Sequence, residues 1–484
     1  MSAFLVAALL AAAPAQAGST PATPPVDAPR KSAAESTPLE QAGQPPPSSV
    51  VEATVPVTLA EVRTQGRQNN NALQALLDVD VAEEDVRISR SRVLPQLSLG
   101  ASAGKIWEGR NRRNLPTPDP DNPGVSRTVE REIPSSDVEN YDLGLTLTQV
   151  LYDRALFKQL EQSGVLRDTE KFQAQEEADT SELEAIRRFF VLFRTQATLQ
   201  VLDATVKRSE EQLERARALF QAGRVGKNEE ISALVNLGND RITFTETLAQ
   251  LVSDQTQLAV WLARPGTEPL LATDPGVLTQ EPSPAPAMDT ALSQARERRP
   301  LLRAFEAQVR SAELQRAIAR AEYIPRLSAQ GRYSRSGPSA ELVFTEPRLQ
   351  NNFSAGVNLS WDLFNGLATG AQTRRAEAGI RRAQLLLAQT GREIEAEVRF
   401  AHRSLVAQLE AARLAADNRE AAVQGLRLAE ERFRAGAGST LEVRDAQLSL
   451  TRAELSLLEN RIDVEIARFT LTRAMGALSP GESK

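Results

Sequence analysis

Residues 440 to 447 read TLEVRDAQ, with Glu442 and Asp445 three residues apart at the start of a helical stretch and Arg444 between them. That spacing puts both carboxylates on one helix face, where they can attract cations or exchange protons. Acid–base catalysis would further require a pocket and a partner group set against the pair. The chain has few such partners: it contains no cysteine and one histidine, His402. Thiolate chemistry, Cys/His zinc sites and Ser-His-Asp or Cys-His catalysis therefore lack the residues they need. His402 sits in the charged stretch AEVRFAHRSL and reads as a solvated helix residue. There is no Gly-rich phosphate loop, nucleophile elbow or metal-ligand cluster, and chance pairs of Asp and Glu are expected on charged helices. The expectation is a protein that is not an enzyme and uses neither cofactor nor metal.

Composition narrows the class. The 484 residues are 41% hydrophobic and only 5% aromatic, with a net charge of -6 and no block of Lys or Arg. Aromatic poverty argues against one large conventional core, and the charge argues against a nucleic-acid partner. Residues 1–17 have a short apolar run ending in Ala15-Gln16-Ala17 and read as a signal peptide. The usual basic residues before the run are missing, as they would be if the native start lay upstream. Residues 18–56 read as a disordered Pro-rich leader. No later stretch has the roughly 18 to 20 apolar residues of a spanning helix.

The chain is duplicated. VLPQLSLGASAG from Val93 is echoed by YIPRLSAQGRYS from Tyr323, and LGLTLTQVLYDRALF from Leu143 by AGVNLSWDLFNGLAT from Ala355. ARALFQAGRVGKNEE from Ala216 is echoed by AEERFRAGAGSTLEV from Ala429, with Phe220, Gly223 and Glu229 matching Phe433, Gly436 and Glu442. The expected organisation is a first repeat over 57–266, a linker over 267–286, a second repeat over 287–477 and a tail over 478–484. Each repeat reads helix, strand, polar loop, strand, very long helix, Gly-containing turn, helix. The first helix is expected over Leu59 to Arg92, ended by Pro95.

The strands alternate with period two. Leu97, Leu99, Ala101 and Ala103 share one face, as do Tyr141, Leu143, Leu145 and Leu147. In the second repeat the strands are Leu327 to Tyr333 and Phe353 to Leu363, the latter with Phe353, Ala355, Val357, Leu359, Trp361 and Leu363 on its apolar face. Their lengths approach the 9 to 11 residues of tilted membrane strands. Trp107, Tyr141, Tyr333 and Phe353 border the two loops, while Tyr152, Tyr323, Trp361 and Phe364 lie at the other strand ends, the arrangement of two interfacial belts. Four strands cannot close a membrane barrel, so copies must share one; two copies give eight strands, too narrow for a channel, and three give twelve. Residues 154–222 and 366–435 contain no proline, long enough for helices of roughly 100 Å each. Leu199, Leu202, Val206, Ser209, Leu213, Ala216 and Phe220 are expected to pair with a seam through Leu234, Leu237 and Arg241. In the second repeat Ala412, Ala415, Ala422 and Ala429 face a seam beginning at Leu441.

On the duplicated LPQLSLG/IPRLSAQG segments, the LTLTQVLYD/VNLSWDLFNG segments and the turns FQAGRVGKNEE and FRAGAGSTLEVRDAQLSL, the sequence resembles the TolC family of outer-membrane efflux proteins across nearly all of residues 57–477. The resemblance implies a mainly α protein with a membrane β-barrel: long antiparallel coiled-coil helices and four strands per chain, trimerised into a 12-stranded barrel on an α-helical barrel. It implies a passive exit duct of an efflux or type I secretion system in the Gram-negative outer membrane. Its partners would be two further copies, a periplasmic membrane-fusion adaptor, an inner-membrane RND or ABC transporter and outer-membrane lipid. Glu442 and Asp445 match acidic positions of the family's periplasmic mouth, with Arg444 as a departure that would partly neutralise them. Phe220, Gly223, Arg224, Val225, Gly226, Phe433, Gly436, Ser439 and Thr440 would form the adaptor-contact tips. The competing class is a periplasmic coiled-coil scaffold or adaptor without a barrel, which has no need for four alternating strands.

The alternation sets a test. Moving a charge to the lipid face costs about 2–4 kcal/mol near the midplane, whereas the lumen face tolerates it. Leu359→Arg is expected to abolish stable insertion and Asn358→Arg to leave it intact, measured as the amount of assembled protein in the outer-membrane fraction. Equal amounts for both would refute the phase.

Overall fold

The computed structural model describes residues 55–118, 124, 126–277, 282–345 and 351–478. The expected signal peptide, nearly all of the leader, the centre of the linker and all but the first residue of the tail lie outside the described residues. The first repeat runs β1 (Val55–Val57), α1 (Leu59–Gly66), α2 (Asn70–Ser91), β2 (Gln96–Glu108), β3 (Asn111–Pro118), β4 (Ser126–Ile133), β5 (Ser136–Tyr152), α3 (Arg154–Gln221), α4 (Lys227–Trp261) and β6 (Leu270–Ala272). The second runs α5 (Met288–Arg298), α6 (Pro300–Ala321), β7 (Arg326–Gly337), α7 (Ala340–Phe344), β8 (Asn351–Ser360), α8 (Ala368–Arg434) and α9 (Thr440–Ala474). α3 and α8, at 68 and 67 residues, each extend about 100 Å.

The four long strands form one antiparallel sheet in the order β2-β5-β7-β8. Its register keeps the apolar residues in common rows: Leu97, Leu147, Gly331 and Ala355 form one row, and Leu99, Leu145, Tyr333 and Phe353 the next. Ser98, Thr146, Arg332 and Ser354 line the other face, where Arg332 reaches Asp142 at 3.1 Å. Leu143, Leu145 and Leu147 of β5 and Phe353, Val357 and Leu359 of β8 thus share one apolar face with Leu97 and Leu99 of β2 and Tyr333 of β7. Trp361 does not. β8 ends at Ser360, paired with Arg326, and the residue before Arg326 is Pro325, which has no N–H to continue the ladder. Trp361 and Leu363 lie past the strand, where the Trp361 indole N–H donates to the Tyr323 carbonyl at 3.2 Å.

Four further expectations are corrected. The first helix breaks at residues 67–69: the Asn69 side chain caps α2 by accepting from Ala72 N at 2.9 Å, and Gly66 ends α1 so close to α3 that a Cβ there would lie 2.5 Å from Ala185 Cβ. The polar loop after β2 carries its own hairpin, β3 paired with β4. Residues 337–351 include α7, whose Leu342 carbonyl accepts from Arg335. His402 is not merely solvated, since its Nε2 lies 2.8 Å from the Pro286 carbonyl and ties α8 to the linker.

The helices repeat the lateral order of the strands. Next to the sheet, α2 packs on α3, α3 on α6 and α6 on α8; towards the far end, α4 packs on α3, α3 on α9 and α9 on α8. Two narrow cores hold the stack at mid-height. Ile186, Phe189, Phe190 and Leu192 of α3 meet Val57, Val62, Leu258, Leu270 and Ile462; Ile394, Val398, Ala401 and Leu405 of α8 meet Ala291, Ala295, Val464 and Leu471.

Between these cores lies a charge network that balances four arginines against four carboxylates. Arg63 binds Glu182 at 2.6 Å, and Arg67 binds Asp179 and Glu182 at 2.8 Å. Arg299 binds Glu176 at 2.9 Å and Glu397 at 3.1 Å, and Arg473 binds the same two at 2.7 and 2.6 Å. Burial opposes the charge on Arg67, but the Glu182 hydrogen bond and the nearby Asp179 charge leave its pKa above the ordinary value.

Arg299 is only 2% exposed, so truncating it leaves two carboxylates sharing Arg473 alone. Loss of one partner from a buried network costs about 3–5 kcal/mol. Arg299→Ala is expected to lower the melting temperature by several degrees, while Arg399→Ala, which breaks an exposed 3.4 Å pair with Glu395, moves it little. Equal shifts in calorimetry would show that the network is not specially buried.

Candidate functional site

The two helix-to-helix turns are built alike. At the end of α3, Gly223 N donates to Phe220 O and Arg224 N to Leu219 O, both at 2.9 Å; at the end of α8, Gly436 N donates to Phe433 O at 3.0 Å and Ala437 N to Arg432 O at 2.9 Å. Gly223 has φ 68° and Gly436 φ 76°, the left-handed conformation this helix stop requires. Both glycines therefore have a sufficient reason in the turn itself. Gly226 precedes α4 without a side-chain cap, whereas Ser439 caps α9 by accepting from Glu442 N at 3.2 Å. Arg224 and Val225 lie between the helices, and the Lys227 ammonium sits 5.0 Å over the Phe220 ring.

Side chains join the two hairpins near their tips. Thr440 Oγ1 donates to Glu229. The Arg444 guanidinium holds both oxygens of Asp240 at 2.9 and 3.0 Å and donates to Ser209 Oγ at 3.0 Å. Further along, Thr205 and Thr451 hydroxyls lie 3.2 Å apart and Arg194 pairs with Asp463. Arg444 is thus turned away from Glu442 and Asp445 and does not neutralise them. Helix geometry explains this: successive residues rotate by about 100°, so Arg444 lies some 200° from Glu442. Glu442 and Asp445 are both exposed at the start of α9, with Arg432 3.8 Å from Glu442.

The coiled-coil seams match the expected positions in part. In the first hairpin Leu213 and Ala216 pack with Ala233 and Leu237, while Leu234 is 52% exposed. In the second, Val443, Leu450 and Leu458 are buried, and Leu441 is 76% exposed at the tip. Sequence reading missed Asp240, Ser209 and exposed Leu441 as tip residues. Leu441 lies three residues before Arg444, on roughly the same side of α9, so its exposure comes from its place at the tip. At mid-height burial pushes the Glu465 carboxyl above its ordinary pKa, against the opposing charge of Arg468 at 3.5 Å.

The molecule therefore pairs a sheet of lipid-crossing strand lengths, apolar on one face, with a helical stalk whose far end carries exposed carboxylates. Sequence comparison assigns a class to that combination. The model of the family described as outer membrane efflux protein matches residues 62–264 and 291–477, and the chain belongs to this family. It is 25% identical over 450 residues to the outer membrane protein TolC of Vibrio cholerae, covering 87% of this chain and 91% of that protein. It is 27% identical over 431 residues to the outer membrane protein OprJ of Pseudomonas aeruginosa, covering 84% and 81%. In fold it is similar to the Neisseria gonorrhoeae MtrE outer membrane channel, solved in its open state, with a TM-score of 0.71 at 17% identity over 88% of this chain and 91% of that one.

The chain is accordingly an outer-membrane efflux channel protein of the Gram-negative envelope, with its helical part in the periplasm, and not an enzyme. Its fold is the α-barrel plus β-barrel one of such channels.

Asp240 and Arg444 are 12% and 14% exposed, so either alone is a half-buried unpaired charge. Asp240→Leu and Arg444→Leu are each expected to destabilise the hairpin ends by about 3 kcal/mol, with the double change recovering most of the loss. Hydrogen exchange over residues 205–240 and 440–455 measures this; strictly additive losses would show that the pair is not coupled.

Proposed function

We propose that three copies of the chain close a 12-stranded barrel and a 12-helix tunnel, and that this trimer is the passive exit duct of a tripartite efflux or type I secretion system. The observation that carries the reading is the matching order of strands and helices. The sheet ends in the unpaired edges of β2 and β8, and the helices next to it end in α2 and α8. α2 leaves Leu73, Leu76, Leu77 and Val81 exposed, and the upper part of α8 leaves Leu385 and Phe400 exposed. A neighbouring copy would cover the α2 face with its α8 face while its β8 pairs with β2, antiparallel like every pair of the four-stranded sheet. Towards the tips, Ile231, Leu234 and Val235 of α4 would meet Val423 and Leu428 of the next copy's α8 in the same way.

In this reading the lipid covers Leu143, Leu145, Leu147, Phe353, Val357 and Leu359, and Trp361 anchors the inner interface just below the strand end. The tips around Phe220, Arg224, Val225, Phe433, Ser439, Thr440 and exposed Leu441 meet the helical hairpin of a periplasmic membrane-fusion adaptor, which delivers cargo from an inner-membrane RND or ABC pump. Glu442 and Asp445 line the mouth. Two carboxylates from each of three copies would select cations, and the Arg444–Asp240 pair would hold each second hairpin against its first. Membership of the efflux family and the likeness to TolC and OprJ support the role.

Extraction of the outer-membrane fraction in mild detergent is expected to give a mass three times that of the mature chain and small cation-selective currents in a planar bilayer. Glu442→Gln with Asp445→Asn is expected to lower the cation-to-anion permeability ratio severalfold without changing the oligomeric mass. A soluble monomer or dimer without bilayer activity would overturn the duct reading, and unchanged selectivity would remove the two carboxylates from the mouth.

A further inference from the structure

The hairpin above the sheet is a single ribbon. β2 and β5 pair from Gln96–Thr148 to Glu108–Ser136, and β3 and β4 resume at Asn111–Ile133 and continue to Pro118–Ser126. Two residues are skipped on each strand, so the register and the face each residue occupies carry over. Pro134, which has no N–H, lies in the gap.

Followed outwards, the lipid-facing side of this ribbon changes character. Above the apolar band comes Lys105, tied to Asp137 at 2.7 Å and Glu139 at 3.3 Å, and then Trp107. Beyond the gap the same face carries Arg113 directly opposite Arg131, Leu115 opposite Val129, Thr117 opposite Arg127, and Ile133. That stretch has three arginines and no carboxylate. The opposite face is balanced, with Arg110 3.1 Å from Glu132 and Arg112 3.9 Å from Glu130. The β3–β4 part is exposed almost throughout.

This arrangement is unfavourable on its own. Like charges directly across two strands repel, and a two-stranded ribbon without a third strand or a packed face is marginal in water. An anion between Arg113 and Arg131 reverses the sign of the interaction, and guanidinium forks fit phosphate oxygens in pairs. Position identifies the anion. The face continues the lipid-facing side, so what lies against it is the headgroup layer of the barrel's own membrane. Arg113 is eight residues beyond Lys105, about 26 Å of strand, whereas an ordinary phospholipid head layer adds only about 5–8 Å. The head must be tall, so a saccharide, and must carry phosphate. Leu115, Val129 and Ile133 between the arginines suit the less polar faces of sugar rings.

We propose that Arg113, Arg127 and Arg131 form a binding face for the phosphorylated saccharide headgroup of an outer-leaflet glycolipid, which holds the ribbon upright beside the barrel. The test uses the full-length protein in phosphatidylethanolamine vesicles containing rough lipopolysaccharide with a phosphorylated core, and in matched vesicles with the dephosphorylated form. Trypsin cleavage after Arg113, Arg127 and Arg131 is expected to slow about tenfold or more with the phosphorylated lipid only, the scale that three surface arginines near anionic heads provide. In parallel, protein carrying Arg113→Gln, Arg127→Gln and Arg131→Gln is expected to lose most of the glycolipid that wild type retains on purification. The Arg110→Gln and Arg112→Gln variant on the other face keeps it, which controls for folding of the ribbon. Equal cleavage in both vesicles, or equal retention by both variants, would overturn the site. Equal protection by soluble phosphorylated core saccharide would overturn the membrane lipid as its occupant.

Discussion

A strand edge in hydrocarbon has no water to satisfy its backbone, and each unpaired N–H or C=O there costs several kcal/mol. β2 and β8 each present such an edge across the lipid-crossing part of the sheet, so the deficit of an isolated sheet amounts to tens of kcal/mol. No side-chain arrangement offsets that sum; only another strand does. The consequence reaches into the stalk, because α2 leads straight into β2 and β8 leads through a short turn into α8. The helices that flank the sheet edges are therefore the ones that must bring those edges together, and their exposed leucines and phenylalanine are the surface available for it. In the proposed trimer, assembly of the stalk and closure of the barrel are two halves of one association.

The stalk meets a different difficulty. Helices of about 100 Å with few aromatics cannot gather around one large core, and the apolar centres are confined to the middle of α3 and α8. The four-arginine, four-carboxylate network lies at that level and connects α1, α3, α6, α8 and α9. A buried ion network is a poor source of net stability, because desolvation consumes most of the Coulomb gain. Its effect is on register. Long helices with apolar residues on several faces can slide by a turn at little cost, but Glu176 can meet Arg299 and Arg473 together in one alignment only.

The parts of this fold that were legible in the sequence are those with a strict period. Leu143, Leu145 and Leu147 alternate and share one apolar face of the sheet, and the proline-free runs match α3 and α8 to within two residues at either end. The failures occurred where a tertiary contact decides. Leu234 and Leu441 were assigned to seams because they are apolar and correctly spaced, yet these helices also carry an apolar face outside their own hairpin, and spacing alone cannot tell the two faces apart. The break after Gly66 depends on the closeness of Ala185, more than a hundred residues away. Prolines 116, 118 and 134 disguised the β3–β4 ribbon as a loop, although Pro134 sits in its gap and the other two lie on an edge-only hairpin that tolerates them. Arg444 is a different case: its rotation away from Glu442 follows from helix geometry and needed no structure.

The duplication places equivalent carboxylates at the two tips in different surroundings. The two turns share their backbone, with a left-handed glycine and the same pair of capping hydrogen bonds in each, so the repeat conserved the shape of the tip. Side chains then diverged. Glu229 and Glu442 occupy equivalent positions, but Glu229 accepts a hydrogen bond from Thr440 of the other hairpin, while Glu442 stays exposed beside Asp445. The same divergence appears at the top of the stalk, where Asp153 alone joins β5 to α3 by accepting from Ala155 N and Leu156 N, and residues 361–367 make the corresponding passage from β8 to α8. A tight junction fixes the first long helix rigidly beneath its strand. The longer turn, with Gly366 and Leu367 both at φ 66°, is tied from the side instead, by Arg326 to Asp362 at 3.0 Å, by the Trp361 indole to the Tyr323 carbonyl and by Thr369 to Glu322. The first passage is thus held by its own cap, and the second by side chains at the end of α6 and the start of β7.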